Sequence, residues 1–306
     1  MNPDFDLARK EKVPSTSLSP RALPRAKLVE THISWVFLTA DRAYKVKKPV
    51  VFPFLDYSDP RRRRELCGEE VRLNRRLAPD LYLGVRGLAP NGSAWTLTDP
   101  DDPAAVEWAV EMRRFDERRT LAALVEAGTA RLEQVAAVGE LIAGFHRRAD
   151  ERNPAEPMAS LVGSIEENFD TLERIEAVPA RELAAARRFA EAFLAANAGR
   201  ILARAAAGLV RDCHGDLRAE HVVFGERLEI FDCIEFDPGL REIDVGADLA
   251  FLVIELVHTG REDLADELVK AYRSAGGDPG DDALLAFFAA YRAWVRAKVE
   301  ALRAGE

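Results

Sequence analysis

The residue pattern changes character once, near Arg113, and that change restricts the fold more than any single motif does. Before it, apolar residues come in short β-rich runs, Trp35-Val36-Phe37-Leu38-Thr39 and Ala43-Tyr44-Lys45-Val46-Lys47, joined by Ala40-Asp41-Arg42 as in a hairpin. Leu83 to Leu88 and Ala105 to Met112 read as further strands. Between them, Asp59-Pro60 supplies an N-cap and a proline at the first helical position, and Leu66, Glu69/Glu70, Leu73 and Leu77 continue at helical spacing. After Arg113 the apolar residues recur at three- and four-residue steps, as in Leu132, Val135, Val138, Leu141, Ile142 and Phe145, and an alanine-rich stretch runs from Ala180 to Ala207. Helices are expected near Asp244 to His258, Glu262 to Ser274 and Asp281 to Arg303. One interruption, Val222-Val223-Phe224 and Arg227 to Phe231 around Gly225-Glu226, predicts a hairpin whose leading glycine suits a type II′ turn. Strands followed by helices define an α+β chain in two parts: a small antiparallel sheet with one helix over 27–112 and a mainly helical part over 113–306. Residues 1–26, with Pro3, Pro14, Pro20 and Pro24 among Ser15, Thr16, Ser17 and Ser19, read as a flexible tail.

Composition removes several classes of function. The 306 residues are 31% charged and 48% hydrophobic, enough for a large core. Three cysteines, far apart, give no disulfide framework and no zinc ribbon. The longest apolar runs, Ala283 to Tyr291 and Leu249 to Ile254, fall short of the ~18–20 residues that span a bilayer, so no membrane association is expected. The N-terminus lacks an apolar signal region, and the cytoplasm is the expected location. A net charge of -9, from 52 acids and 43 bases, argues against a nucleic-acid-binding surface.

The densest polar segment is Cys213-His214-Gly215-Asp216-Leu217-Arg218-Ala219-Glu220-His221, placed just before the hairpin that ends at Asp232. Because the hairpin folds the chain back, Asp216 and Asp232 can converge, and two convergent carboxylates suit a divalent cation or proton transfer. Gly215 beside Asp216 predicts a backbone conformation that other residues avoid. Cys213 and Cys233 each flank one of these aspartates and read as small core fillers.

Over roughly Val29 to Arg303 the chain resembles the aminoglycoside phosphotransferase and choline kinase family, whose fold is protein-kinase-like. His214-Gly215-Asp216-Leu217 resembles the HGDL catalytic loop, Ile230-Phe231-Asp232 the strand that ends in the metal-binding aspartate, and Asp248-Leu249-Ala250 the downstream DLA. The resemblance implies ATP and Mg²⁺ (or Mn²⁺) as reactants, with nucleotide between a small sheet lobe and a larger helical one. Asp216 would take the acceptor hydroxyl's proton, Asp232 would hold the metal, and Arg218 would place positive charge near the transferring phosphoryl. Where the family carries asparagine as second metal ligand, this chain has His221. Imidazole suits Mg²⁺ poorly. His221 therefore binds metal weakly or through water, bonds a phosphate oxygen, or yields the role to Glu235 or Asp237, the last being favoured by the nearby carboxylates.

The resemblance also asks for a strand lysine and a helix glutamate against the phosphates. Ala43-Tyr44-Lys45-Val46 resembles that strand, but alternation puts Lys45 and Lys47 on one face, so both stay candidates with Lys45 preferred. Glu69 and Glu70 are the possible partners; spacing from Leu73 and Leu77 favours Glu69. Thr31-His32-Ile33-Ser34-Trp35 would cover the phosphates without a glycine, leaving backbone donors and Ser34, and Met112 lies where the adenine-binding hinge is expected.

Three activities fit these residues. The first is phosphoryl transfer from ATP to a hydroxyl of a small molecule such as a sugar, amino sugar, amino alcohol or aminoglycoside. The second is a weakened, nucleotide-binding regulatory module. The third is a phosphoesterase using His214, Asp216, His221 and Asp232 around Mn²⁺ or Zn²⁺. Glu255, Asp263, Asp266 and Glu267 would suit a cationic acceptor, whereas Arg292 and Arg296 share a face of the last helix, either a solvated surface or an anion-recognising wall.

Overall fold

The structure, a computed structural model, describes residues 23, 25–52, 55–152 and 157–304. The tail expected over 1–26 thus lies almost wholly outside the described residues. The chain forms two compact units. One comprises the described residues up to Arg72 together with Asp80–Arg114; the other joins Leu73–Pro79 to the chain from Phe115 onward.

The first unit is built on a six-stranded antiparallel sheet in the order β1-β2-β3-β8-β6-β7. Its strands are β1 (Lys27–Glu30), β2 (Ser34–Leu38), β3 (Arg42–Lys47), β6 (Tyr82–Asn91), β7 (Ala94–Thr98) and β8 (Glu107–Arg113), while β4 (Val51–Phe52) and β5 (Leu55–Asp56) pair separately. Strand alternation sorts the residues of β2 and β3 onto two faces. Tyr44 and Val46, opposite Phe37 and Trp35, point into a core with Leu88, Trp95 and Ala109. Lys45 and Lys47, opposite Val36 and Ser34, take the other face. The β6–β7 hairpin was not anticipated; Asn91-Gly92, with Gly92 at φ 58°, is the turn signal that marks it.

Helix α1 (Pro60–Asn74) starts where Asp59 Oδ1 accepts the Arg61 N–H at 2.8 Å. Its inward stripe runs through Arg63, Leu66, Cys67 and Glu70, all buried. Glu69 is thereby corrected as the inward carboxylate. It turns sideways to Arg72, 2.7 Å away, while Glu70 is fully buried, because the stripe set by Arg63 and Leu66/Cys67 passes through position 70 rather than 69. Arg63 is satisfied by Glu107 at 2.5 Å, whose carboxyl is raised by burial against that opposing guanidinium.

The second unit carries α2 (Leu121–Glu126), α3 (Leu132–Arg148), α4 (Pro157–Arg174), α5 (Ala180–Ala206), α6 (Val245–His258), α7 (Glu262–Ser274) and α8 (Asp282–Ala304). Two small antiparallel pairs interrupt them: β9 (Val210–Asp212) with β12 (Glu242–Asp244), and β10 (Val222–Phe224) with β11 (Leu228–Ile230). Phe224 pairs with Leu228, so the connecting loop has three residues, and Gly225 does not take a positive φ. The type II′ turn is corrected accordingly. Val135, Val138, Ile142, Leu217, Val222, Ile230 and Leu249 share one core, so the segment that bears Asp216 is packed into the centre of the helical unit. No helix among the described residues is long and apolar enough to cross a membrane.

Candidate active site

In the first unit, two ammonium groups meet one carboxylate. Lys47 Nζ lies 2.6 Å from Glu70 Oε2 and Lys45 Nζ 3.0 Å from Oε1. Tyr57 Oη, 3.4 Å from Lys47 Nζ, closes the buried side. The side chain of Lys47 is 1% exposed and that of Lys45 15%. Ser34, opposite Lys47 across the strands, is fully buried; Thr31 Oγ1 accepts its N–H at 3.0 Å, and its own Oγ has no hydrogen-bond partner among the described residues. Met112 is half-buried near the end of β8, in register with Ala43 and Tyr82.

In the second unit the chain leaves β9 at Asp212 and enters a loop held from below by Asp248 of α6. The two Asp248 oxygens accept the N–H groups of His214 (3.0 Å) and Gly215 (2.8 Å). His146 Nε2 bonds the same carboxylate at 3.0 Å, with its Nδ1 2.8 Å from the Tyr272 hydroxyl. Burial pushes the Asp248 carboxyl up, but the His146 hydrogen bond and the nearby positive charge hold it down at about 2. Gly215 sits at φ 85°, and a Cβ there would stand 2.9 Å from the Leu240 carbonyl oxygen, which accounts for glycine beside Asp216. His214 braces the loop. Its Nδ1 accepts the Asp216 N–H at 3.3 Å and its Nε2 donates to the Phe231 carbonyl at 3.0 Å; burial holds it neutral, with its pKa lowered to about 4.

His221 stands between the two aspartates, its Nδ1 3.6 Å from Asp216 Oδ2 and its Nε2 3.6 Å from Asp232 Oδ2. Nδ1 donates to the Asp216 carbonyl at 3.0 Å. Nε2 faces the Asp232 carboxylate: a neutral imidazole there pairs two donor atoms able to share a cation, and a protonated one sets a positive charge between the two aspartates. Asp232 takes the left-handed conformation, φ 64°, rare for a residue with a Cβ. Burial raises the Asp216 carboxyl, and the charges of His221 and Arg218 oppose that rise.

The remaining candidates are placed differently. Arg218 is already engaged, Nη1 2.5 Å from Glu220 and Nε 3.2 Å from Glu255. Glu235 is buried three residues beyond Asp232, and Asp237 spends Oδ1 on the Gly239 N–H at 2.8 Å, capping the turn at Pro238–Leu240. Two residues that sequence reading passed over grip both ends of the loop. Arg76 donates to the carbonyls of Asp212 (2.7 Å) and Cys213 (2.9 Å), and Asn74 Oδ1 accepts the Cys233 N–H at 2.9 Å. Both follow the last apolar turn of α1, where no period signals a role. The two cysteines are buried, and burial drives the Cys213 thiol well up and that of Cys233 to about 12, as core fillers require. Among the described residues, the one trio of donors close enough to share an ion is His146, Cys213 and Asp248. Both imidazole nitrogens of that trio are already bonded, so it serves as a strut beneath the loop.

This architecture is the protein-kinase-like fold of the aminoglycoside phosphotransferases and choline kinases. An aminoglycoside-3'-phosphotransferase of type VIII superposes with a TM-score of 0.50 at 16% identity, covering 89% of this chain and 94% of that one. Choline kinase from Cryptosporidium parvum does so with 0.50 at 12% identity, over 92% and 90%. An aminoglycoside phosphotransferase from Streptomyces rimosus, in complex with ADP and streptomycin, gives 0.50 at 17%, over 88% and 93%. In sequence, the chain is 36% identical over 282 residues to uncharacterised proteins of Mycobacterium tuberculosis and Mycobacterium bovis, across 90% of this chain and 54% of theirs. It therefore spans about half the length of the curated relatives it matches. No family model matches.

Proposed function

We propose that the chain is an ATP-dependent kinase of a small-molecule alcohol. The observation that carries this reading is the pair Asp216 and Asp232 held on either side of His221, on a loop fixed by Asp248 in a fold that phosphotransferases use. Asp216 orients the acceptor hydroxyl and accepts its proton as the new P–O bond forms and the bond to ADP breaks. Burial raises the Asp216 carboxyl while the charges of His221 and Arg218 oppose the rise, a setting suited to a proton acceptor.

The donor set also fits a divalent cation. Asp232 and His221 Nε2 would hold it, and when bound it neutralises polyphosphate charge. In the first unit, Lys45 and the Ser34 hydroxyl, which has no partner among the described residues, are donors for phosphate oxygens, with Glu70, itself held by Lys47, positioning Lys45.

The test is ADP release across sugars, amino alcohols and aminoglycosides, with Asp216→Asn as the blank. Acceptor-dependent release abolished in Asp216→Asn supports the kinase. Thermal stabilisation by ATP without release for any acceptor would instead assign a nucleotide-binding module, and nucleotide-independent ester hydrolysis a phosphoesterase.

A further inference from the structure

Three of the four acids that could greet a cationic acceptor are already paired within the chain. Glu255 of α6 accepts from Arg218 Nε (3.2 Å), the Ala219 N–H (2.6 Å) and Arg296 of α8. Asp263 pairs with Arg261 and Glu267 with Lys270, both at 2.8 Å, and Asp266 is exposed on α7.

Arg292 of α8 is the opposite case. It is 4% exposed, its Nε donates to the Ala247 carbonyl at 2.9 Å, and its guanidinium lies over the rings of Phe251 (5.0 Å) and Tyr291 (5.4 Å). Its Nη2 is buried without a hydrogen-bond partner, and no carboxylate lies within ion-pair distance among the described residues. Ala247 precedes Asp248, whose oxygens hold His214 and Gly215, the two residues before Asp216. The unpaired cation is thus anchored on the helical turn that supports the loop bearing Asp216. A buried guanidinium with an open donor is costly unless something completes it.

We infer that Arg292 recognises the acceptor, and that the acceptor is a hydroxy acid, with a carboxylate near the hydroxyl that receives the phosphoryl group. This rests on the kinase reading above. A planar carboxylate matches the guanidinium fork. A single negative charge is also better tolerated beside Asp216 than the double charge of a phosphate ester.

Three matched pairs test it: gluconate with glucitol, glycerate with glycerol, and lactate with propanediol. Each is titrated calorimetrically into the full chain and assayed for ADP release. For at least one pair the acid should bind at least tenfold more tightly than its neutral partner. Arg292→Gln should erase that difference while stabilisation by Mg·ATP persists, and Arg292→Lys, the control should the glutamine variant misfold, should retain part of it. Equal binding within every pair, or a preference unchanged in both variants, overturns the inference. ADP release with neutral or aminoglycoside acceptors and no preference for acids overturns it too, yet leaves the kinase standing. Selective acid binding with no ADP release from any acceptor removes the kinase but keeps an Arg292 carboxylate site.

Discussion

Glu70 meets Lys47 at 2.6 Å inside the first unit, and the remaining Glu70 oxygen is taken by Lys45 at 3.0 Å. Lys47 is enclosed whereas the Lys45 side chain keeps 15% of its surface, so Lys45 is the one of the two that a ligand can reach. The two lysines should therefore divide their work. Lys47→Met, which strips the fully buried partner, should cost about 3 kcal/mol. Lys45→Met should cost about 1 kcal/mol or less and instead abolish stabilisation by ATP. Urea unfolding with and without nucleotide reads both; equal losses of stability in the two variants would contradict the division.

Asp232 combines a strained backbone with a carboxylate directed at His221, so chemistry and conformation can be separated there. Asp232→Ala and Asp232→Gly should both lose phosphoryl transfer. The glycine variant should be the more stable by about 1 kcal/mol, because it relieves the left-handed conformation at φ 64°. Asp216→Asn should lower turnover by about 10²–10⁴-fold. It should keep or gain stability, since burial already disfavours the ionised carboxyl it replaces. A marked loss of stability in Asp216→Asn would point to a structural aspartate.

His221 places an imidazole nitrogen, not an oxygen, 3.6 Å from Asp232 Oδ2. Imidazole ranks Mn²⁺ above Mg²⁺, so the wild type should turn over faster with Mn²⁺, and His221→Asn should move the preference toward Mg²⁺. An unchanged metal preference in that variant would remove His221 from the metal's surroundings.

Acid should weaken the fold through His214. Its pKa is lowered from 6.5 to about 4 in the folded chain, so below pH 6.5 the unfolded chain binds the extra proton first. Stability is then complete above pH 6.5 and falls by about 3 kcal/mol as pH drops through that window to about 4. Asp248, held down at about 2, adds a further loss at lower pH, between 3.8 and 2. His214→Gln should flatten the upper part of the profile only, as read by denaturant midpoints across pH 4–7.

Much of this fold can be read from residues alone where a period is sustained. The stripe Leu132, Val135, Val138, Ile142 and Phe145 yields α3, and Asp59-Pro60 sets the start of α1. The reading fails where the cause is distant. β9 and β12 hold three residues each and exist because Arg211 pairs with Ile243, 32 positions away, a relation no local pattern records. Glu69 and Glu70 are adjacent, and the buried stripe that turns Glu70 inward runs through Cys67 and the polar Arg63, which an argument from Leu73 and Leu77 alone does not include. The catalytic-type loop was legible because its chemistry is contiguous; Asn74, Arg76 and His146, which brace it from elsewhere in the chain, were not.

The strut beneath that loop depends on how closely two helices approach. Gly139 of α3 faces α7 so tightly that a Cβ would stand 2.7 Å from the Leu268 carbonyl oxygen and 3.0 Å from the Tyr272 nitrogen. Backbone cannot turn aside as a side chain can, so Gly139→Ala must push α7 outward, at about 1–3 kcal/mol. Tyr272 travels with α7, and its hydroxyl is the partner of His146, which in turn bonds Asp248 under Asp216. Turnover should therefore fall in Gly139→Ala even under conditions where the fold is fully populated, with the nucleotide's thermal stabilisation retained. Full turnover in a destabilised Gly139→Ala would show that the loop holds its geometry without this strut.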